Sequence, residues 1–308
     1  MPGKPPVGDG EVGFGFLNLP EEFQRAETSR VHVLPVPLEE TVSYGGGTRY
    51  GPAAIIACSR QVELFDRELR GEPALEYGIH TLPPVGIDHA SIEATLDRIQ
   101  TAVAAIVAAG KLPVVLGGEH TVTIGPVRAL HAARAAGGAP FVVVQVDAHA
   151  DLREGFHGTP YSHACVMRRL VEETGCELFQ VGIRSLSAEE DAFITAHPGT
   201  VHTFFADEIA GDPDDTWLAA LAAGLDGKRV YLTIDVDGLD PSVVPATGTP
   251  EPGGLSWRQA LALLRTVASA ADAVVGIDCV ELAPRPGLHA ADFAVAKLLY
   301  RAISLAVQ

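Results

Sequence analysis

The chain is poor in the groups that mark several protein classes. Only four of its 308 residues are cysteine (Cys58, Cys165, Cys176 and Cys279), and none forms a CxxC pair. That excludes a disulfide-stapled secreted scaffold and a thiolate metal site. Cys279 lies in an apolar run and reads as a small core residue. Aromatics make up only 6%, so a large core has to come from Val, Leu, Ile and Ala. Basic residues are also scarce: 22 Lys and Arg against 39 Asp and Glu give a net charge of −17. A field of that sign disfavours nucleic acid and anionic membrane as partners. It favours cations, either metal ions or a positively charged small substrate, although solubility alone is the plainer reading. The apolar runs fall far short of a membrane span, and Met1-Pro2-Gly3-Lys4 leads into Pro, Gly and acidic residues rather than a signal sequence. A cytoplasmic location is expected.

What is present is an alternation of apolar runs and helical patterns. Strands are predicted at Val31–Pro37, Pro113–Gly117, Phe141–Asp147, Glu177–Arg184, Val201–Phe205, Arg229–Asp237 and Ala273–Glu281, with Tyr77–Leu82 a weaker eighth. Segments such as 88–110, 121–136, 187–196, 214–225, 256–271 and 289–307 carry Ala, Leu, Val and Ile at helical spacing. Val142-Val143-Val144 and Val230–Ile234 are apolar on both faces, as strands covered by helices on both sides must be. The expectation is an α/β fold, three layers α/β/α, around a mainly parallel sheet of about eight strands. Residues 1 to about 28 are polar, weakly periodic and rich in Pro and Gly, and are expected to form an arm rather than a core layer. Residues 29–308 show no repeat or linker and are expected to be a single domain.

Chemistry-bearing residues gather at the ends of these runs. Pro113–Leu116 opens into Gly117-Gly118-Glu119-His120, Phe141–Val146 into Asp147-Ala148-His149-Ala150-Asp151, and Arg229–Ile234 into Asp235-Val236-Asp237. In extended chain, residues i, i+2 and i+4 point to one side, so Asp147, His149 and Asp151 can face one cavity, as can Asp235 with Asp237. The bland alternative is a polar turn with helix-capping Asp residues. It is disfavoured because ionisable groups at a strand end are costly to bury without a compensating ion. His120 alone is weak evidence, but Gly117-Gly118 permits a close backbone approach or a sharp turn, and Thr121 can cap the helix that follows. Four Asp carry −4 and two divalent cations +4, so six ligands (His120, Asp147, His149, Asp151, Asp235 and Asp237) suit two ions, some Asp bridging. Imidazole mixed with carboxylate favours manganese over magnesium. Between two such ions a bound water loses its proton readily.

These three blocks, with Asp237-Gly238-Leu239-Asp240-Pro241-Ser242 extending the last, resemble the signature blocks of the ureohydrolase (arginase/agmatinase) family. Tyr44-Gly45-Gly46-Gly47-Thr48-Arg49-Tyr50-Gly51-Pro52 resembles that family's N-terminal loop and Asp278-Cys279-Val280-Glu281-Leu282-Ala283-Pro284 its last strand, so the likeness spans roughly 30 to 307. The resemblance implies two Mn2+ per subunit and urea release from a small cationic guanidino substrate by attack of a metal-bridging hydroxide. Glu281 would hold the guanidinium through paired N–H bonds, for which a strand-end Glu bound to Arg285 or to water is the alternative. Asp151 would hydrogen-bond the hydroxide and help pass a proton to the leaving amine. His163 would be the proton shuttle, with His157 the second candidate. The stretch Leu152-Arg153-Glu154-Gly155-Phe156 lacks the Asn-containing loop of arginases and resembles agmatinases, so agmatine, cleaved to putrescine and urea, is the expected substrate. Glu154 is a candidate partner for its ammonium, while Arg153 would suit an acid such as guanidinobutyrate. Arginine, formimidoylglutamate and a catalytically silent metal-binding homologue remain the alternatives. The resemblance further implies a homotrimer or homohexamer.

Overall fold

A computed structural model describes residues 15–308. Eight strands form one sheet: β1 (Val31–Val36), β2 (Ile79–Thr81), β3 (Leu112–Gly117), β4 (Phe141–Val146), β5 (Leu178–Ile183), β6 (Val201–Phe205), β7 (Arg229–Asp235) and β8 (Ala273–Val280). Their order is β2-β1-β3-β8-β7-β4-β5-β6, and all pairings are parallel. Because strand side chains alternate, one strand serves two cores. Val142, Val144 and Val146 enter one apolar cluster, with Leu221, Leu263 and Leu298 from the helices Thr216–Leu225, Trp257–Ala270 and His289–Ala306. Phe141 and Val143 enter the other, with Ile99, Val127 and Leu170 from Ile92–Ala108, Ile124–Ala135 and Val166–Thr174. The α/β/α architecture expected from the apolar runs is the one observed.

Topology places the candidate site. The chain lays down β2-β1-β3 as one half and β4-β5-β6 as the other, and then inserts β7 and β8 between β3 and β4. The carboxyl ends of β3, β8, β7 and β4, which carry the signature blocks, therefore lie side by side. A crevice beyond adjacent strand ends is the usual ligand site of such sheets.

Several boundaries differ from the sequence-based expectation. Tyr77 ends a helical turn, Pro73–Tyr77, instead of opening β2. Asp237 lies in a 3-10 turn, Val236–Gly238, beyond β7. Thr121 caps no helix: its hydroxyl donates to Glu119 at 2.7 Å, and the helix Ile124–Ala135 starts without a side-chain cap. Of the expected arm, residues 1–14 lie outside the described residues. Phe16, Leu17 and Leu19 are buried in the first apolar cluster, joining it because three apolar side chains within four positions outweigh a polar surround.

Candidate metal centre

Two glycines let the loops meet. A Cβ on Gly118 would lie 1.9 Å from the Leu38 carbonyl, and one on Gly238 2.7 Å from the Asp147 amide. Without side chains there, the β3 loop packs against the segment after β1, and the β7 loop against the β4 loop. The acidic residues converge through tight turns rather than through extended chain. Asp151 has φ +54° and Glu281 φ +64°, a left-handed conformation that costs a side-chain-bearing residue roughly 1–2 kcal/mol. Such strain, held by surrounding structure, is typical of functional positions. Asp235 accepts from the Asp237 amide at 3.0 Å, and Asp147 from the His149 amide at 2.7 Å.

Six of the expected residues form two overlapping groups. His120 Nδ1 lies 3.0 Å from Asp147, 3.1 Å from Asp151 and 3.3 Å from Asp235. His149 Nδ1 lies 3.1 Å from Asp237 and 3.7 Å from Asp147. Asp147 belongs to both sets, and donor atoms of His120, Asp147 and Asp235, and of Asp147, His149 and Asp237, are each close enough to share one ion. The fit to a cation is visible at His120: its Nδ1 is buried beside three carboxylates, yet it makes no hydrogen bond among the described residues. Its Nε2 is engaged with the Thr233 hydroxyl at 2.9 Å, which orients the ring.

The electrostatics express the same need. Burial, then repulsion from Asp147, pushes Asp151 up to about 7. Burial and the charges of Asp237 and Asp147 raise Asp235 well above the carboxylate range. Burial opposes ionisation of Asp147 too, but His120 and His149 hold its carboxyl down. Against the opposing effect of burial, Asp147 and Asp237 raise His149 to about 12. Four carboxylates this close share charge poorly unless cations lie among them.

Glu281 and His163 line the same cavity, to which Val42–Tyr44 and Gly248–Thr249 also contribute. Glu281 does not pair with Arg285, which bonds instead to the carbonyls of Gly46 and Thr247. One Glu281 oxygen accepts the His120 amide at 2.7 Å. Burial and the neighbouring Glu119 raise its pKa well above the ordinary value, so an incoming cation would relieve it. Burial lowers the pKa of His163. His157 is exposed, does not line the cavity and stacks edge-on against Phe156. Arg153 approaches Glu190 at 3.8 Å and covers the Phe156 ring, which uses its charge locally; Glu154 is exposed and is not part of the cavity lining.

Several contributors escaped the sequence reading. Gln145 donates to Asp147 at 2.7 Å, and its own carbonyl accepts from Gln180 at 2.6 Å. Arg184 ties the carbonyls of Gly182, Asp237 and Glu251 together. Glu119 and Thr41 brace His163. The only signal was a polar residue inside an apolar strand, as at Gln145 and Gln180.

Fold and site together define a class: an α/β/α hydrolase with its polar centre at the carboxyl ends of four central parallel strands. The chain belongs to the arginase family, whose model matches residues 29–304. It is 42% identical over 281 residues to an N(1)-aminopropylagmatine ureohydrolase of Thermus thermophilus, covering 91% of each chain. To the enzyme of that name from Synechocystis it is 37% identical over 296 residues, covering 93% of this chain and 94% of the relative. The structure of agmatine ureohydrolase from Thermoplasma volcanium superposes with a TM-score of 0.80 at 31% identity, covering 91% of each chain. The protein is accordingly a ureohydrolase of the agmatinase-like type, a group that acts on guanidino compounds.

Proposed function

We propose that the protein hydrolyses the guanidino group of an agmatine-type amine, using two manganese ions per subunit. The observation that carries this reading is the sharing of Asp147 between two His/Asp groups in a cavity that also holds Glu281 and His163. His120, Asp147, Asp151 and Asp235 would hold one ion, and His149, Asp147 and Asp237 the other, with no thiolate in the set. When bound, the pair supplies water acidified enough to act as a nucleophile at neutral pH. Glu281 would receive the guanidinium, its free oxygen accepting an N–H while the other stays on the His120 amide. Asp151, at the edge of the His120 group, would orient the attacking water and take its proton. His163 would deliver a proton to the departing nitrogen, so that urea and the free amine leave. Assembly as a homotrimer or homohexamer belongs to the same reading and predicts a light-scattering mass three or six times that of one chain.

Agmatine would yield putrescine and urea. N(1)-aminopropylagmatine, which would yield spermidine and urea, has an observation of its own in its favour: two relatives of that name, at 42% and 37% identity, exceed the 35% of an agmatinase of Bacillus anthracis, while a third of that name, from Thermococcus kodakarensis, shares 32%. On that ground the longer amine is expected to show the higher kcat/KM. A urea-release assay with manganese-loaded protein, run with both amines, guanidinobutyrate, arginine and formimidoylglutamate, tests both statements. Turnover of an acidic substrate without turnover of either amine would overturn the substrate class. No urea from any of them, with metal bound, would mark a silent homologue.

A further inference from the structure

We propose that Glu119 and Thr41 are positioning residues that fix His163 in its Nδ1–H tautomer and so aim its Nε2 lone pair into the cavity. The inference rests on the reading of His163 as the proton-transfer group, and it follows from counting hydrogens around one hydroxyl. Thr41 Oγ1 touches three groups: Glu119 Oε1 at 2.9 Å, the His163 backbone N–H at 3.0 Å and His163 Nδ1 at 3.1 Å. Glu119 is fully buried, and its carboxylate receives four donors. These are the amides of Glu40 at 2.6 Å and Thr41 at 2.7 Å on Oε2, and the hydroxyls of Thr41 and Thr121 on Oε1. It therefore acts only as an acceptor, and the single Thr41 proton points at it. The two remaining Thr41 lone pairs must then accept, one from the His163 amide and one from Nδ1–H. A bare Nδ1 would face a Thr41 lone pair at 3.1 Å and leave only the longer Ser162 hydroxyl contact, at 3.3 Å, to serve it, whereas Nδ1–H satisfies the shorter contact and leaves the Ser162 oxygen free to share it.

The consequence falls on the other ring nitrogen. Nε2 has no hydrogen-bond partner among the described residues, and the ring lines the cavity that holds Glu281. With Nδ1 protonated, Nε2 can take up a proton and later release it to the leaving nitrogen. Nδ1–H persists in both charge states, so the bond to Thr41 survives the transfer and the carboxylate behind it favours the cationic form. The Phe156 ring, edge-on to His163 with centroids 5.7 Å apart, blocks rotation on that side. Glu119 immediately precedes His120, so one short segment serves both the first metal group and the proton-transfer residue.

Neutron diffraction of the manganese-loaded protein, exchanged into deuterium oxide, tests the hydrogen assignment directly. A deuteron on Nδ1 with the Thr41 deuteron directed at Glu119 is expected. A bare Nδ1, or a Thr41 deuteron directed at the ring, overturns the proposal. Kinetics supply the second arm. T41V keeps the shape and removes the hydroxyl, and is expected to lower kcat about tenfold or more with KM within about twofold, bound metal being unchanged. T41S, which restores the hydroxyl, is expected to recover most of the loss. Equal losses in T41S and T41V, or wild-type kcat in T41V, would assign Thr41 a packing role. Should the wild-type protein release no urea at all, the functional reading fails while the neutron map still decides the tautomer.

Discussion

At the scale of single residues, the site separates into side chains that create the charge and side chains that use it. Asp147 touches both imidazole groups and is the residue common to the two His/Asp sets. Asp147→Ala is therefore expected to empty both metal positions and abolish urea release. His163 sits in the same cavity without approaching either cluster closely enough to join it. His163→Ala should lower kcat by about 10²–10⁴, the usual range for a general acid or base, with bound metal unchanged. Metal analysis alongside turnover separates the two outcomes. If His163→Ala loses metal, the residue is a ligand and the roles given above are wrong. Removal of one carboxylate from a buried cluster is not a mild change, because the remaining charges lose the cations that reconcile them.

At the scale of elements, loops are held by helix starts. Ser187 and Glu190 form a capping box at the helix Ala188–Ala196, and the second Glu190 oxygen accepts the Leu152 amide at 3.0 Å, one residue beyond Asp151. Ser256 and Gln259 form a similar box at Trp257–Ala270, away from the cavity. Ser256→Ala should cost about 1 kcal/mol, seen as a lower Tm, and leave kcat alone. Glu190→Ala should cost about as much in cap energy and also reduce kcat, since the left-handed turn at Asp151 loses its downstream anchor. Equal effects of the two variants on kcat would show that the anchor does not reach Asp151.

This coupling also marks where sequence reasoning stops. The parallel α/β/α architecture was legible because Val-rich runs covered on both faces have few other uses. The His and Asp positions were legible because they recur at the ends of those runs. The geometry that gathers them was not: Asp147, His149 and Asp151 were expected on one side of an extended chain, yet Asp151 turns left-handed and Asp237 sits in a 3-10 turn. Side-chain partners distant in sequence, such as Thr41 for His163 or Gln180 for Gln145, carry no local pattern at all. Phe16, Leu17 and Leu19 were hidden for a related reason, since a short apolar triplet has no period from which to read burial.

At the scale of the whole molecule, the acidic balance becomes a kinetic property. A net charge of −17, or −13 with two divalent ions bound, gives the molecule a negative field that attracts a substrate carrying two or three positive charges. Screening shortens the reach of that field from about 30 Å at 0.01 M salt to about 8 Å at 0.15 M. Capture of the amine should weaken over that range, while the bound complex, organised by contacts of a few ångström, should not change. The expected result is a kcat/KM that falls with ionic strength at constant kcat, most steeply for N(1)-aminopropylagmatine, less for agmatine and least for zwitterionic guanidinobutyrate. Ranking the slopes matters more than any one of them, since a salt effect on the protein itself would move all three substrates together. If the zwitterion shows the same slope as the trication, the acidity serves solubility alone, and recognition of the amine rests entirely on groups inside the cavity.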